Sequence, residues 1–250
     1  ITVQNSASGT YSFGNGSSTT QVFGATAYKN IITVLYFGAN IISVSAYQFY
    51  QYNSLKYISI SNSITSIGDH SFRECGSIVA IISPSSNLSI GTLMCYICYS
   101  LQYFICNVNL ITIGSDIFRN CPNIRIFKMP SVSSLTINIF QNATSLSTIL
   151  LKSGIVSVQD NAFNNCYSLK SISIPSTLTS ISASAFNGCT GLVEYIFNST
   201  NPPTLANINA FIGINQICKI YVPDASLNAY KTATNWVTYA NYIYPLSSKP

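Results

Sequence analysis

A solenoid of about nine stacked coils, with a parallel β-sheet running along one side, is the fold this sequence predicts. Three observations carry the prediction. Apolar residues recur at fixed offsets with a period of 22–25 residues. Within each period a Leu-x-x-Ile-x-Ile piece alternates and is rich in β-branched residues, as a strand requires. The 250-residue chain is 48% hydrophobic and only 7% charged, so a long core is affordable and the polar surface must come from Ser, Thr, Asn and Tyr. One coil cannot bury its own apolar positions, but stacked coils share a continuous core.

The elements follow in order when an aromatic residue of each coil is set as position zero. Residues 1–25 are rich in Gly, Ser and Thr, carry no full repeat, and read as an irregular N-terminal cap. Thr26 holds the zero place for Ile32, Leu35, Phe37, Ile41 and Val44, and Phe49 leads Leu55, Ile58, Ile60, Ile64 and Ile67. Phe72 leads Cys75, Ile78 and Ile81; Ser83 then stands where Ile is expected, beside Ile82, which predicts a bulge. Cys95 replaces Phe and leads Cys98, Leu101, Phe104, Cys106, Leu110 and Ile113. Phe118, Phe140, Phe163 and Phe186 open the next coils, and Phe211 opens the last after a two-residue insertion. The solenoid thus spans residues 26–222. Residues 223–250 read as a C-terminal helical cap: Asp224 is placed to N-cap a short helix through Tyr230, with Trp236, Tyr239, Tyr242 and Ile243 covering the last coil.

Two solenoids fit this period. A leucine-rich repeat has one sheet and a tighter opposite side; a parallel β-helix has two or three sheets. The Ala-Phe-x-x-Cys segment predicts a short helical or 3₁₀ turn, and the second apolar pair (Leu178, Ile181) is spaced by three rather than two, so the leucine-rich-repeat horseshoe is favoured. The unit N-x-x-C-x-S-L-K-S-I-x-I-P-x-x-L-x-S-I-x-x-x-A-F resembles the BspA-like subclass of leucine-rich repeats. The resemblance is best over residues 163–197 and looser over residues 26–222, and the tail beginning IYVPDASLNAYK resembles that family's terminal segment. It implies a secreted or surface-attached protein of a bacterium or protist with an adhesive role. The chain opens on Ile1 rather than Met, as a processed or trimmed chain would.

Several chemistries are disfavoured. The net charge of +5 is scattered without a Lys/Arg run, which argues against nucleic acid. The uncharged window Cys75–Ser115 holds no purely apolar run long enough to cross a bilayer. Five cysteines (Cys75, Cys98, Cys121, Cys166, Cys189) share one inward column, so the Cys95-x-x-Cys98 spacing reads as a ladder of buried thiols rather than a metal or redox site. His70 reads as an exposed turn residue. Asp69, Asp116 and Asp160 read as caps of the turns before each Phe, not as a carboxylate pair for glycan hydrolysis. No cofactor or metal is expected. Candidate N-glycosylation sequons begin at Asn15, Asn87, Asn142 and Asn198.

The strand face is the informative surface. Offsets +6, +9 and +11 are expected to point inward, leaving +8 and +10 on the concave solvent side. Those columns place Tyr36, Tyr57, Ile82, Tyr103, Ile105, Ile126, Leu150 and Ile196 in an apolar, aromatic stripe, with Lys128 and Lys152 (and Arg125) as a basic edge. An exposed patch of that kind marks a contact site, and tyrosine suits it, with a rigid face and one polar end. The sequence therefore predicts a non-enzymatic, extracellular or cell-surface binding module for a protein ligand such as host matrix or another cell's surface. The rivals are a structural surface protein self-associating through the same stripe and, less favoured, a glycan-active enzyme.

Overall fold

The computed structural model describes residues 2–3, 11–12, 29–38, 41–83, 87–106, 110–128 and 132–250. The anchor Thr26, the sequon at Asn15 and most of residues 1–25 lie outside the described residues.

The Leu-x-x-Ile-x-Ile pieces form one long line of parallel strands. In chain order it comprises β1 (Thr2–Val3), β3 (Val34–Phe37), β5 (Tyr57–Ser59), β7 (Ala80–Ser83), β9 (Tyr103–Cys106), β11 (Ile126–Lys128), β13 (Thr148–Leu150), β15 (Ser171–Ile174), β17 (Glu194–Phe197), β19 (Lys219–Val222) and β20 (Ile243–Pro245). The line is two sheets end to end, β1 to β13 and β15 to β20. The inward offsets behave as the alternation predicts: Leu55, Ile58 and Ile60 are buried while Tyr57 between them is exposed. Nine coils of strand at about 4.8 Å each give a rod roughly 40 Å long.

A second line of strands was not expected. It consists of β2 (Tyr11–Ser12), β4 (Ile41–Val44), β6 (Ser66–Ile67), β8 (Leu88–Ile90) and β10 (Leu110–Ile113), then β12 (Ser134–Leu135), β14 (Ser157–Val158), β16 (Ser180–Ile181) and β18 (Thr204–Leu205). Of the pair Leu178 and Ile181, Ile181 belongs to it, as the inward residue of a strand only two residues long. The opposite side of this leucine-rich solenoid is therefore also a parallel ladder.

The turns around position zero differ from the helical or 3₁₀ turns expected. Of the turns from Phe49 onward, only Ile208–Phe211, in the last coil, is a 3₁₀ helix. Elsewhere the residues two before and two after zero adopt left-handed backbone, as at Tyr47 and Gln51 (φ 57° and 61°) or Asn161 and Asn165 (φ 54° and 62°). This alternation aims three N–H groups along the rod. Tyr47 N, Phe49 N and Gln51 N donate to the carbonyls of Asp69, Ser71 and Arg73 in the next coil at 2.8–3.0 Å. The turn is thus a third hydrogen-bonded seam, which offsets the cost of left-handed non-glycine residues, about 1–2 kcal/mol each.

Two side-chain ladders fill the core. Phe140, Phe163, Phe186 and Phe211 stack with centroids 5.1–5.6 Å apart. Where Cys95 interrupts this column, Phe104 stands at the +9 place that is Ile in most coils, its ring 5.0 Å from Phe118. The cysteine ladder beside it is more than small rungs. Each thiol donates to the zero-position carbonyl of the preceding coil: Cys75 to Phe49, Cys98 to Phe72, Cys121 to Cys95, Cys166 to Phe140 and Cys189 to Phe163, at 2.9–3.3 Å. Ala143 takes the same buried place in the Phe140 coil.

The predicted bulge at Ser83 is absent. β7 and β9 pair in plain register from Ala80↔Tyr103 to Ser83↔Cys106, with Ser83 buried and Ile82 exposed. The irregularity lies two coils on, where the rod has a crease. β11 meets β9 through one register pair, Ile126↔Tyr103, and β10 and β12 belong to separate sheets. The cause is local. Gly68, Gly91 and Gly114 lie backbone to backbone with the preceding coil: a Cβ on Gly114 would sit 2.4 Å from Thr92 N. The next coil has Thr136 in this column, and its hydroxyl, not its backbone, donates to Gly114 O at 2.7 Å.

The C-terminal segment packs on the last coil through the residues foreseen. Trp236, Tyr239 and Ile243 are buried and Tyr242 is partly so. Trp236 Nε1 donates to Pro203 O at 2.7 Å, Tyr230 OH to Ser199 O at 3.0 Å, and Tyr239 OH to Ile208 O. Asp224 does not cap the helix α1 (Leu227–Thr232); the residue before α1, Ser226, makes no side-chain capping bond. Asp224 instead starts a 3₁₀ turn and accepts the N–H of Ser247, which holds its carboxyl below the usual value.

Candidate binding face

The outward offsets of the first strand line define the candidate site. Tyr36, Tyr57, Ile82, Tyr103, Ile105 and Leu150 are 43–59% exposed, so six of the eight predicted stripe residues present their side chains to solvent. In register, Ile126 pairs with Tyr103 and with Thr148, and Lys128 with Leu150. Arg125 is exposed at the strand entrance, and Lys152, after β13, is half-buried. These side chains stand out because strand geometry alternates and because the buried +9 and +11 neighbours fix the pleat.

The face closes toward its C-terminal end. Ile196 is half-buried and Tyr221 is buried. β20 pairs with β19, Tyr244 lies 6.5 Å from the Tyr221 ring, and Lys219 sits over Tyr244 at 5.4 Å. Lys249 then pairs with Glu194 at 2.6 Å. The open part of the face runs from Tyr36 to Ser173.

The carboxylates expected to cap turns do so only in part. Asp69 Oδ1 accepts Thr92 N of the next coil at 2.7 Å. Asp116 is bound by Arg119 at 3.0 Å and by Asn138 Nδ2 at 2.9 Å, while Asp160 is exposed. Among the described residues no three His, Cys, Asp or Glu side chains gather as a metal site would require. All eight cysteines are buried. Burial pushes the Cys75, Cys98, Cys121 and Cys166 thiols well above their usual value and Cys189 up to about 12.

His70 is not a freely exposed turn residue. Its ring stacks on Tyr47 at 4.4 Å, and its Nδ1 faces Arg73 at 3.3 Å. Burial first, then the Arg73 charge, lowers its pKa, with Asp69 opposing. It belongs to an edge that sequence reasoning missed. Offset +1 reads Tyr50, Arg73, Tyr96, Arg119 in successive coils. The guanidiniums lie over the rings: Arg73 over Tyr50 and Tyr96 at 5.8 and 5.2 Å, and Arg119 over Tyr96 at 5.6 Å. Glu74 ties this edge together, accepting from Tyr50 OH, Gln51 Nε2 and Arg73 Nε, each at 3.0 Å. The alternation of Tyr and Arg stands in the sequence, but no apolar period marks it.

Two sequon asparagines, half-buried Asn142 and exposed Asn198, make side-chain hydrogen bonds. Asn142 donates to Asn120 Oδ1 at 2.7 Å and accepts from Asn165 Nδ2 at 2.9 Å. Asn198 Nδ2 donates to Ile174 O at 2.9 Å and Ser173 Oγ at 3.2 Å. Asn87 is exposed. An open cleft of about 540 Å³ sits at the crease, lined by Leu110, Ile113 and Val132 with Ser and Thr hydroxyls and no charged residue.

A parallel-strand solenoid with a 23-residue coil, an inward Leu/Ile/Phe pattern and a C-terminal aromatic lid is a leucine-rich-repeat protein. The chain belongs to the BspA-type leucine-rich-repeat family: the family model for the BspA type leucine rich repeat region matches residues 20–147 and 127–234 in six copies. Among solved structures, the leucine-rich-repeat protein of T. pallidum is 23% identical over 64% of this chain and 78% of that chain, with a TM-score of 0.61, and so shares the fold. A leucine rich cell surface protein from Faecalibacterium prausnitzii A2-165 is 18% identical over 83% of this chain and 84% of its own, with a TM-score of 0.37, too loose a likeness to carry an argument. No curated protein sequence matches the chain. Among the described residues no helix is long and apolar enough to cross a membrane.

Proposed function

We propose that this chain is a cell-surface or secreted adhesion module that binds a protein ligand through the open face of its first strand line. Membership of the BspA-type family supports a binding role, since leucine-rich repeats of this kind serve as recognition surfaces. The observation that carries the choice of face is the exposure of six large apolar side chains there: Tyr36, Tyr57, Ile82, Tyr103, Ile105 and Leu150. A strand that faced only water would carry polar residues at those places, as Ser171 and Ser173 of β15 do. A preformed sheet also loses little entropy on binding, so apolar contact converts into affinity with little offset.

The test is a triple variant, Tyr57→Ser/Tyr103→Ser/Leu150→Ser, assayed for adhesion to immobilised matrix proteins and for its melting temperature. All three side chains are exposed, so the fold should keep its stability to within about 0.5 kcal/mol each. Adhesion should be lost. A variant that adheres like the native protein would remove this face from consideration.

A further inference from the structure

The charged residues, scattered along the sequence, are sorted by the fold. Of the eleven cationic residues, six lie on strand segments of the first line or their flanks: Lys56, Arg125, Lys128, Lys152, Lys170 and Lys219. Glu194 is the only acid there, and Lys249 from the chain end neutralises it at 2.6 Å. The other acids are elsewhere. Asp69, Glu74, Asp116 and Asp160 lie along the turn seam, with Glu74 and Asp116 paired to Arg73 and Arg119 at 3.0 Å, and Asp224 lies in the C-terminal segment. The strand side thus carries six uncompensated cations, and the rest of the chain, with four cations against five acids, is one charge negative.

Three of these cations share one offset. Lys56, Arg125 and Lys170 each immediately precede the first residue of a strand of the first line (Tyr57, Ile126, Ser171), and all three are exposed. Coil stacking at about 4.8 Å puts Lys56 and Arg125, three coils apart, at about 14 Å, and Arg125 and Lys170, two coils apart, at about 10 Å. The exposed Tyr57, Ile82, Tyr103, Ile105 and Leu150 lie in the coils between the ends of that row.

We infer that the occupant of this face is an acidic, extended polypeptide segment lying along the rod axis, its carboxylates on the Lys56–Arg125–Lys170 row and its apolar side chains on the tyrosine and aliphatic stripe. The inference rests on the proposed binding face and adds the chemistry of the partner. An extended chain rises about 3.3 Å per residue, so about eight residues reach from Lys56 to Lys170. A polyanion without apolar groups would use the row and leave the stripe uncovered, which is why a peptide is favoured over a sulfated glycan.

The experiment pans a phage-displayed library of random twelve-residue peptides on the full chain in 150 mM NaCl, with heparin as the polyanion probe. Enriched peptides should combine two or more Asp or Glu with Tyr, Leu, Ile or Val. The best synthetic peptide should lose at least tenfold in affinity when its carboxylates become amides. It should lose as much against Lys56→Ser/Arg125→Ser/Lys170→Ser, whose melting temperature should be unchanged. Enrichment of neutral or basic peptides, or of none, overturns the inference. So does a peptide that ignores the charge variant but fails on Tyr57→Ser/Tyr103→Ser/Leu150→Ser, a result that keeps the face and discards the acidic partner. A peptide indifferent to both variants sinks both readings. Heparin binding tighter than any peptide, insensitive to the stripe variant, makes the occupant a sulfated glycan and overturns the peptide.

Discussion

Phe163→Ala tests whether the stacked phenyl column is what couples one coil to the next. Phe163 is fully buried, with its ring 5.6 Å from Phe140 and 5.1 Å from Phe186, both nearly parallel. Truncating a buried Phe to Ala costs about 3–5 kcal/mol through lost transfer energy and the cavity left behind. Each stacked pair contributes about 0.5–1.5 kcal/mol beyond its area, partly counted already in that figure. The upper end, about 4–5 kcal/mol, is therefore expected, a large part of a typical total stability of about 5–15 kcal/mol. Phe163→Leu keeps most of the volume and loses both stacks, so it should cost about 1–2 kcal/mol. Urea unfolding followed by far-UV circular dichroism measures the whole rod. Trp236, the single tryptophan, reports the C-terminal end, where it lies 5.1 Å from Phe197 and 5.7 Å from Phe211. Because stability in a solenoid is a sum of nearest-neighbour terms, the fluorescence midpoint should fall less than the dichroism midpoint. A loss below about 2 kcal/mol for Phe163→Ala, or equal shifts of the two signals, would refute nearest-neighbour coupling through the ring column.

Two further outcomes follow from the buried and titrating groups. The native protein should react with a thiol reagent such as DTNB at none of its eight cysteines, since all are buried and burial raises the pKa of every column thiol; full reaction should appear only in denaturant, and rapid labelling of any column cysteine contradicts the ladder. Stability should fall on acidification. Partial burial alone would raise the Glu74 carboxyl, but hydrogen bonds from Gln51, Tyr50 and Arg73 outweigh it and the net pKa is lowered from 4.5, while His70 is lowered from 6.5. Both groups bind more protons unfolded than folded, so their contributions are complete above those ordinary values and are lost as pH falls through the lower folded ones. Urea midpoints between pH 7 and pH 4 should decline, and Glu74→Gln with His70→Asn should flatten the curve. A native curve already flat over that range contradicts the seam as described.

The inward columns of the first strand line were legible because an alternating strand repeated nine times leaves a period that drift cannot imitate. The second line was not, because a two-residue strand such as Ser180–Ile181 has no period of its own; it exists only as a neighbour of Ser157–Val158 and Thr204–Leu205. The left-handed turns announce themselves only in part. Asn120, Asn142 and Asn165 are residues that tolerate that backbone, but Tyr47, Leu93 and Ile97 adopt it without local preference, under the constraint of the stack. The cysteines were correctly read as buried rungs, yet their role as donors depends on a carbonyl about one coil away that no local pattern points to.

Charge shows the same division with a functional consequence. Along the sequence the cations are isolated, and no stretch of a few residues suggests a basic surface. Lys56, Arg125 and Lys170 are separated by 69 and 45 residues, but these separations are three coils and two, so the fold lines the three side chains up at one offset. The acids were free to occupy the same offset and do not: apart from Glu194 they sit on the turn seam or in the C-terminal segment. A charged surface made this way is invisible to a search for basic runs and plain once residues are indexed by coil. The same indexing isolates the alternating Tyr50, Arg73, Tyr96, Arg119 edge. That edge holds its cations over its own rings and beside its own carboxylates, whereas among the described residues Lys56, Arg125 and Lys170 make no ion pair and lie over no ring. Of the two basic columns in this rod, the one beside the stripe has charge left over for a partner.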